Sequence, residues 1–149
     1  MINLIHGDSL DKLQDLAENS VDTIITDPPY GLSFMGKRWD YDVPSVELWR
    51  ETLRVLKPGG TAVVLEFSKP KTFPIKQLFS FYSNVMIPLF GKYISKDERA
   101  YTYLPESVAV FPEGAAFVSV MQKVGFQTKQ TIRLSGGIAS IYIGQKSNT

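Results

Sequence analysis

Short runs of β-branched and other apolar residues alternate along the chain with stretches whose apolar positions recur every three or four residues. The run "INLIH" (residues 2–6) predicts a short strand followed by a turn. Leu10, Leu13, Leu16 and Ala17 then fall at the spacing of an amphipathic helix. "VDTIITD" (21–27) is β-branched and predicts a buried strand. In "PSVELWRETLRVL" (44–56), Val46, Trp49, Leu53 and Leu56 recur at helical spacing. Pro44 sits near the first turn, where its missing N–H costs little. "KPGG" (57–60) is expected to stop that helix, and "TAVVLEF" (61–67) reads as another buried strand. Strand, helix, strand, helix, strand is the order of an α/β domain with a parallel sheet.

After Ser68 the texture changes. Residues 69–112 are rich in proline and aromatic side chains and read as helix and loop. "EGAAFVSVMQKVG" (113–125) predicts a helix ended by Gly125. "FQTKQTIRL" and "IASIYIGQK" flank Ser135–Gly137, which predicts a closing hairpin. Internal repeats and low-complexity segments are absent, and residues 1–149 are read as one domain.

Composition narrows the chemistry. With 44% hydrophobic residues the chain can bury a real core. Sixteen basic and 15 acidic side chains leave a net charge of +1, so only a local patch could serve a nucleic acid. Zero cysteines exclude disulfides and thiolate metal sites, and the single histidine, His6, excludes a multi-histidine one. No metal is expected. The first residues carry no secretion signal, so a cytoplasmic location is expected. The longest apolar-leaning stretch, residues 75–93, contains lysines, polar residues and a proline. That argues against a membrane span but leaves room for a surface-lying segment.

The candidate chemistry is at "DPPY", Asp27 to Tyr30, where a strand ends. Ligands of open α/β sheets bind at such ends. Pro28 and Pro29 fix φ and donate no N–H, so the turn is stiff and its carbonyls face outward. A carboxylate, a carbonyl and the flat ring of Tyr30 suit a planar amino-heterocycle. The acceptors hold the amino group and stabilise the positive charge that grows on nitrogen as a methyl arrives, while the ring stacks. A base inside a duplex reaches such a pocket only when flipped out. The bland alternative is a rigid turn that merely ends a strand.

Two resemblances follow. DPPY after a β-branched strand, with "INLIHGDSLDKL" and "WRETLRVLKPGG" around it, resembles the amino-group DNA methyltransferases over about residues 2–60. By that resemblance Asp27, Pro28, Pro29 and Tyr30 are catalytic. Lys37, Arg38 and Trp39, shortly after, would be a phosphate-and-base contact patch or an exposed loop. Asp8, at the end of the first strand, reads as a helix-start or loop acid, or by the resemblance to methyltransferases would contact the cofactor's adenine side. "RVLKPGGTAVVLEFSKP", "AYTYLPESVAVFP" and "VGFQTKQTIRLSGGIASIYIGQK" resemble the C-terminal part of ubiquinone/menaquinone-biosynthesis C-methyltransferases, from about Arg54 to Lys146. The chain therefore looks like a chimera, with a DNA-methyltransferase-like head over 1–60 and a quinone-methyltransferase-like tail over 61–149.

Both resemblances imply S-adenosylmethionine and a Rossmann-like sheet of order 3-2-1-4-5-7-6. "INLIH" would be its third strand, "VDTIIT" the fourth, "TAVVLEF" the fifth and the hairpin the last two. The Gly-rich turn that such enzymes use for the cofactor is not recognisable, and strands one and two are missing, so the expected sheet is incomplete. The fourth strand would then present an apolar edge that pairs with "INLIH", supports a homodimer or leaves the fold marginal. The leading functional expectation is methylation of an exocyclic amino group of a DNA base. The alternatives are C-methylation of a prenylated quinol and a catalytically inactive fragment. "GDSL" (7–10) matches a short esterase signature, but the only histidine lies immediately upstream of it.

Overall fold

The computed structural model describes residues 2–29, 43–87, 89 and 111–148. The β-branched run forms strand β1 (Val21–Thr26), and a longer run forms β2 (Leu56–Phe67). They pair in parallel, with Ile24 opposite Ala62 and Thr26 opposite Val64. Strands β3 (Gln127–Leu134) and β4 (Ala139–Gln145) form the predicted hairpin about a 3₁₀ turn at Ser135–Gly137. Gly136 in that turn has φ +67°, a backbone shape that L side chains rarely take. Strand β4 inserts antiparallel between β2 and β3, which gives the order β1-β2-β4-β3. In the family numbering this is 4-5-7-6, as expected.

Among the described residues, four helices accompany the sheet. Helix α1 (Ser9–Gln14) starts where the Asp8 carboxylate accepts a hydrogen bond from Leu10 N at 2.9 Å. Helix α2 (Val46–Val55) is capped by Ser45, whose Oγ accepts from Leu48 N at 3.1 Å. Helix α3 (Ile75–Phe81) runs into a π turn at Tyr82–Met86. Helix α4 (Ala115–Val124) ends at Gly125, with φ +120°. Arg54 ties α1 to α2: its guanidinium donates to the Leu13 and Leu16 carbonyls at 2.9 and 3.0 Å.

Paired residues of neighbouring strands share a face of the sheet. Ala62, Val64 and Tyr142 lie on the face that meets α2 and α4, where they are buried with Trp49, Phe117 and Met121. The Phe117 ring meets Trp49 and Tyr142 edge-on, with centroids 5.4 and 4.8 Å apart. Ile25 and Leu65, on the other face, stay exposed.

Three expectations need correction. "INLIH" is not a strand: residues 2–6 have no regular structure, and Ile2 and Leu4 are 89% and 90% exposed. Apolar composition cannot hold a strand without a neighbour to take its backbone hydrogen bonds. "KPGG" does not stop α2. The helix ends at Val55, Leu56 is already extended, and the glycines lie inside β2. There they absorb the pairing irregularity between Val21 and Thr23. A Cβ on Gly60 would meet the Lys57 and Asp22 carbonyl oxygens at 2.8 and 3.1 Å, so only glycine fits this close approach. On α2 the buried positions are Trp49, Thr52 and Val55, while Val46 is exposed and Leu56 belongs to β2.

Candidate active site at the strand ends

The parallel strands β1 and β2 end side by side. Past Thr26 the chain enters Asp27–Pro28–Pro29, and past Phe67 it enters Ser68–Lys69–Pro70. Pro28 is buried, Pro29 half-buried and Asp27 exposed. The stiff loop is thus anchored through its first proline and leaves its carboxylate on the rim. Tyr30, Lys37, Arg38 and Trp39 lie outside the described residues. Asp8 is exposed, and one of its carboxylate oxygens serves as the cap of α1. Asp8 and Asp27 are therefore positioned by different elements, a helix start and a strand end.

A buried polar group beside this rim escaped the sequence reading. Glu66 is only 1% exposed, pairs across the sheet with Ser140, and its Oε1 accepts from Phe67 N at 2.8 Å. Ser68 Oγ donates to the Gly137 carbonyl at 2.9 Å and lies 3.0 Å from Ser140 Oγ. Tyr142 Oη accepts from Gly114 N at 2.6 Å. Above them a cavity of 40 Å³ is walled by Lys69, Lys71, Glu113 and Arg133. That is room for water, not for an aromatic ring. The signal was a single acidic residue inside the apolar run "TAVVLEF". A carboxylate in a buried strand demands a polar reason.

The described residues do not fit a complete cofactor pocket. Such a pocket needs a glycine turn between a strand and a helix, where the backbone approaches the ligand. Gly59 and Gly60 are inside β2, Gly136 and Gly137 are in the hairpin turn, and the Lys12 side chain lies against Gly7 ahead of α1. Among the described residues no cluster of metal-ligating side chains occurs.

Residues 11–146 match the model of the ubiE/COQ5 methyltransferase family. The chain belongs to this family. Its likeness therefore begins well upstream of Arg54, inside the segment read as DNA-methyltransferase-like. A demethylmenaquinone methyltransferase of Bacteroides fragilis is 46% identical over 96 residues, which are 64% of this chain and 39% of that protein. A ubiquinone/menaquinone biosynthesis C-methyltransferase of Coxiella burnetii is 44% identical over 93 residues, 62% of this chain and 37% of that one. The matches span about two fifths of the length of these relatives. Among solved structures, a putative DNA modification methylase of Thermus thermophilus complexed with S-adenosyl-L-methionine is similar, with TM-score 0.53 and 19% identity. That alignment covers 96% of this chain and 54% of the methylase and shows a shared fold. The fold is thus the Rossmann-like α/β sheet of S-adenosylmethionine-dependent methyltransferases, and S-adenosylmethionine is the cofactor that goes with the family. Among the described residues no helix is long and apolar enough to cross a membrane.

Proposed function

We propose that this member of the ubiE/COQ5 family serves C-methylation of a prenylated quinol, with S-adenosylmethionine as the methyl donor. The observation that carries the reading is the family match over residues 11–146. The two named quinone-biosynthesis relatives, at 46% and 44% identity, agree with it. In this reading the described residues supply the acceptor side of the crevice. The ends of β1 and β2 form its floor and rim. What these residues would contribute is positioning of the acceptor ring and exclusion of water around it. No transfer step is assigned through the cofactor, because the described residues offer it no glycine cradle.

One observation favours a second reading, methylation of an exocyclic amino group on DNA. Asp27 stands exposed at the carboxyl end of a parallel strand, on a loop stiffened by two prolines. A carboxylate there can hold an amino group and stabilise charge on nitrogen. The division into a head over 1–60 and a tail over 61–149 belongs to this reading.

Calorimetric titration with S-adenosylmethionine comes first. Binding near one site per chain opens the transfer assays, whereas a folded chain that binds none up to millimolar cofactor is an inactive fragment. Methyl transfer to demethylmenaquinol in detergent, with wild-type protein and Asp27→Ala, separates the two active readings. The quinol reading expects transfer to the quinol and none to DNA, with Asp27→Ala keeping activity within about threefold. Transfer to DNA that is abolished by Asp27→Ala, and weakens steeply with salt, supports the second reading instead.

A further inference from the structure

Helix α3 and its π turn leave an apolar stripe in solvent. Leu78, Phe81, Tyr82 and Val85 are between 39% and 64% exposed. Steps of three and four residues align such positions along one side of a helix. Another side of the same segment already buries Ser83 and Ile87, so the stripe is not its inward face. Phe73, just before the helix, is exposed as well.

Along the segment itself the charge has one sign. From Lys69 to Leu89 the chain carries three lysines and no acidic residue. Lys69 and Lys76, with Ser80, Ser83 and Asn84, line a groove of about 230 Å³ along the helix. A shallower depression continues from it, shared by Lys76, Ser80 and Asn84 with Phe81 and Val85 of the stripe. Glu113, which approaches from the loop before α4, faces Lys71 at 3.3 Å and accepts from Lys69 N at 2.8 Å, so its carboxylate is engaged. Cations and small hydrogen-bonding groups therefore adjoin exposed aliphatic and aromatic side chains. Anionic headgroups above an acyl boundary have the complementary chemistry.

We propose that α3 and its π turn form a docking helix for an anionic phospholipid bilayer, with Leu78, Phe81, Tyr82 and Val85 entering the acyl boundary. The groove beside Lys69 and Lys76 receives headgroup phosphates. The helix leaves the end of β2, which borders the candidate active site, so docking sets that site against the layer where a prenylated quinol dissolves. The biological sense of the proposal rests on the quinol reading, but lipid binding needs neither quinol nor cofactor.

The test is flotation of the full chain with vesicles of phosphatidylcholine alone, or of phosphatidylcholine with phosphatidylglycerol. The wild type should float with the anionic vesicles and dissociate from them in high salt. Leu78→Glu/Phe81→Glu should lower the partition coefficient at least about tenfold, because each change removes an inserted side chain. Lys76→Glu should lower it about fivefold or more, since one basic residue near the surface is worth roughly 1 kcal/mol. All these side chains are exposed, so melting temperatures should hold and report that the variants are folded. Failure of the wild type to float, or equal flotation of wild type and variants, overturns the proposal. So does a lipid-free self-association, seen by sedimentation, that the same double variant abolishes, because the stripe would then serve a second copy. Quinol methylation in detergent that persists without vesicle binding overturns the docking helix while leaving the quinol reading intact.

Discussion

Tyr142 shows how one hydroxyl can fix the start of a helix. Its ring is fully buried against Phe117, and its oxygen accepts from Gly114 N at the start of α4. Tyr142→Phe keeps the ring packing and removes the acceptor. It should cost about 1–2 kcal/mol, read as a lower urea midpoint at unchanged m-value. Nothing in the sequence pointed to this bond, because it joins residues far apart in the chain. The place of Asp27, by contrast, was legible, since two prolines end the β-branched run immediately after it, and the part its carboxylate plays there belongs to the second reading. Asp8 was legible as a helix-start acid, and it caps α1 as that reading expects. Glu66 was hidden by its neighbours: five apolar or small residues before it and a phenylalanine after it made the run read as plain core.

Where the hydrophobic period was long or the turn chemistry strong, the elements were legible. Strand β1, the body of α2, α4 with its terminal glycine, and the β3–β4 hairpin all form where the pattern places them, although β1, expected to be buried, lies at the edge with no fully buried residue. The failures have physical causes. "INLIH" lacks a neighbour for its backbone. "KPGG" carries helix-stop residues, yet Gly59 and Gly60 exchange backbone hydrogen bonds with Lys146, which holds the run in a strand. Helix α2 also offers a clean test of local capping. Ser45 Oγ accepts from Leu48 N, satisfying one of the donors that every helix start leaves open. Ser45→Ala should therefore cost about 1 kcal/mol, and Ser45→Asp should restore most of it. Equal denaturation midpoints for all three proteins would show that the cap contributes nothing.

At the scale of the whole molecule the sheet is asymmetric. Strand β2 is flanked on both sides, while β1 is an edge strand that pairs only with β2 among the described residues. The order of these four strands was legible through the family resemblance, and the open edge followed from it. Its consequence depends on concentration, which no sequence encodes. Ile25 lies on β1 and is 76% exposed. An apolar, β-branched edge with free backbone groups is a template for pairing with another chain. Sedimentation velocity of the wild type should therefore show association that grows with concentration. Ile25→Lys puts a charge on the edge, which opposes such pairing. It should suppress the association while changing stability by no more than about 0.5 kcal/mol, because the side chain it replaces is already in solvent. Amide exchange gives the matching view of the same edge: β1 should exchange faster than β2 and β4 at low concentration and gain protection as the chain associates. A wild type that stays monomeric at every concentration, with β1 as protected as β2, would mean that the edge is covered, and Ile25→Lys would then leave sedimentation unchanged.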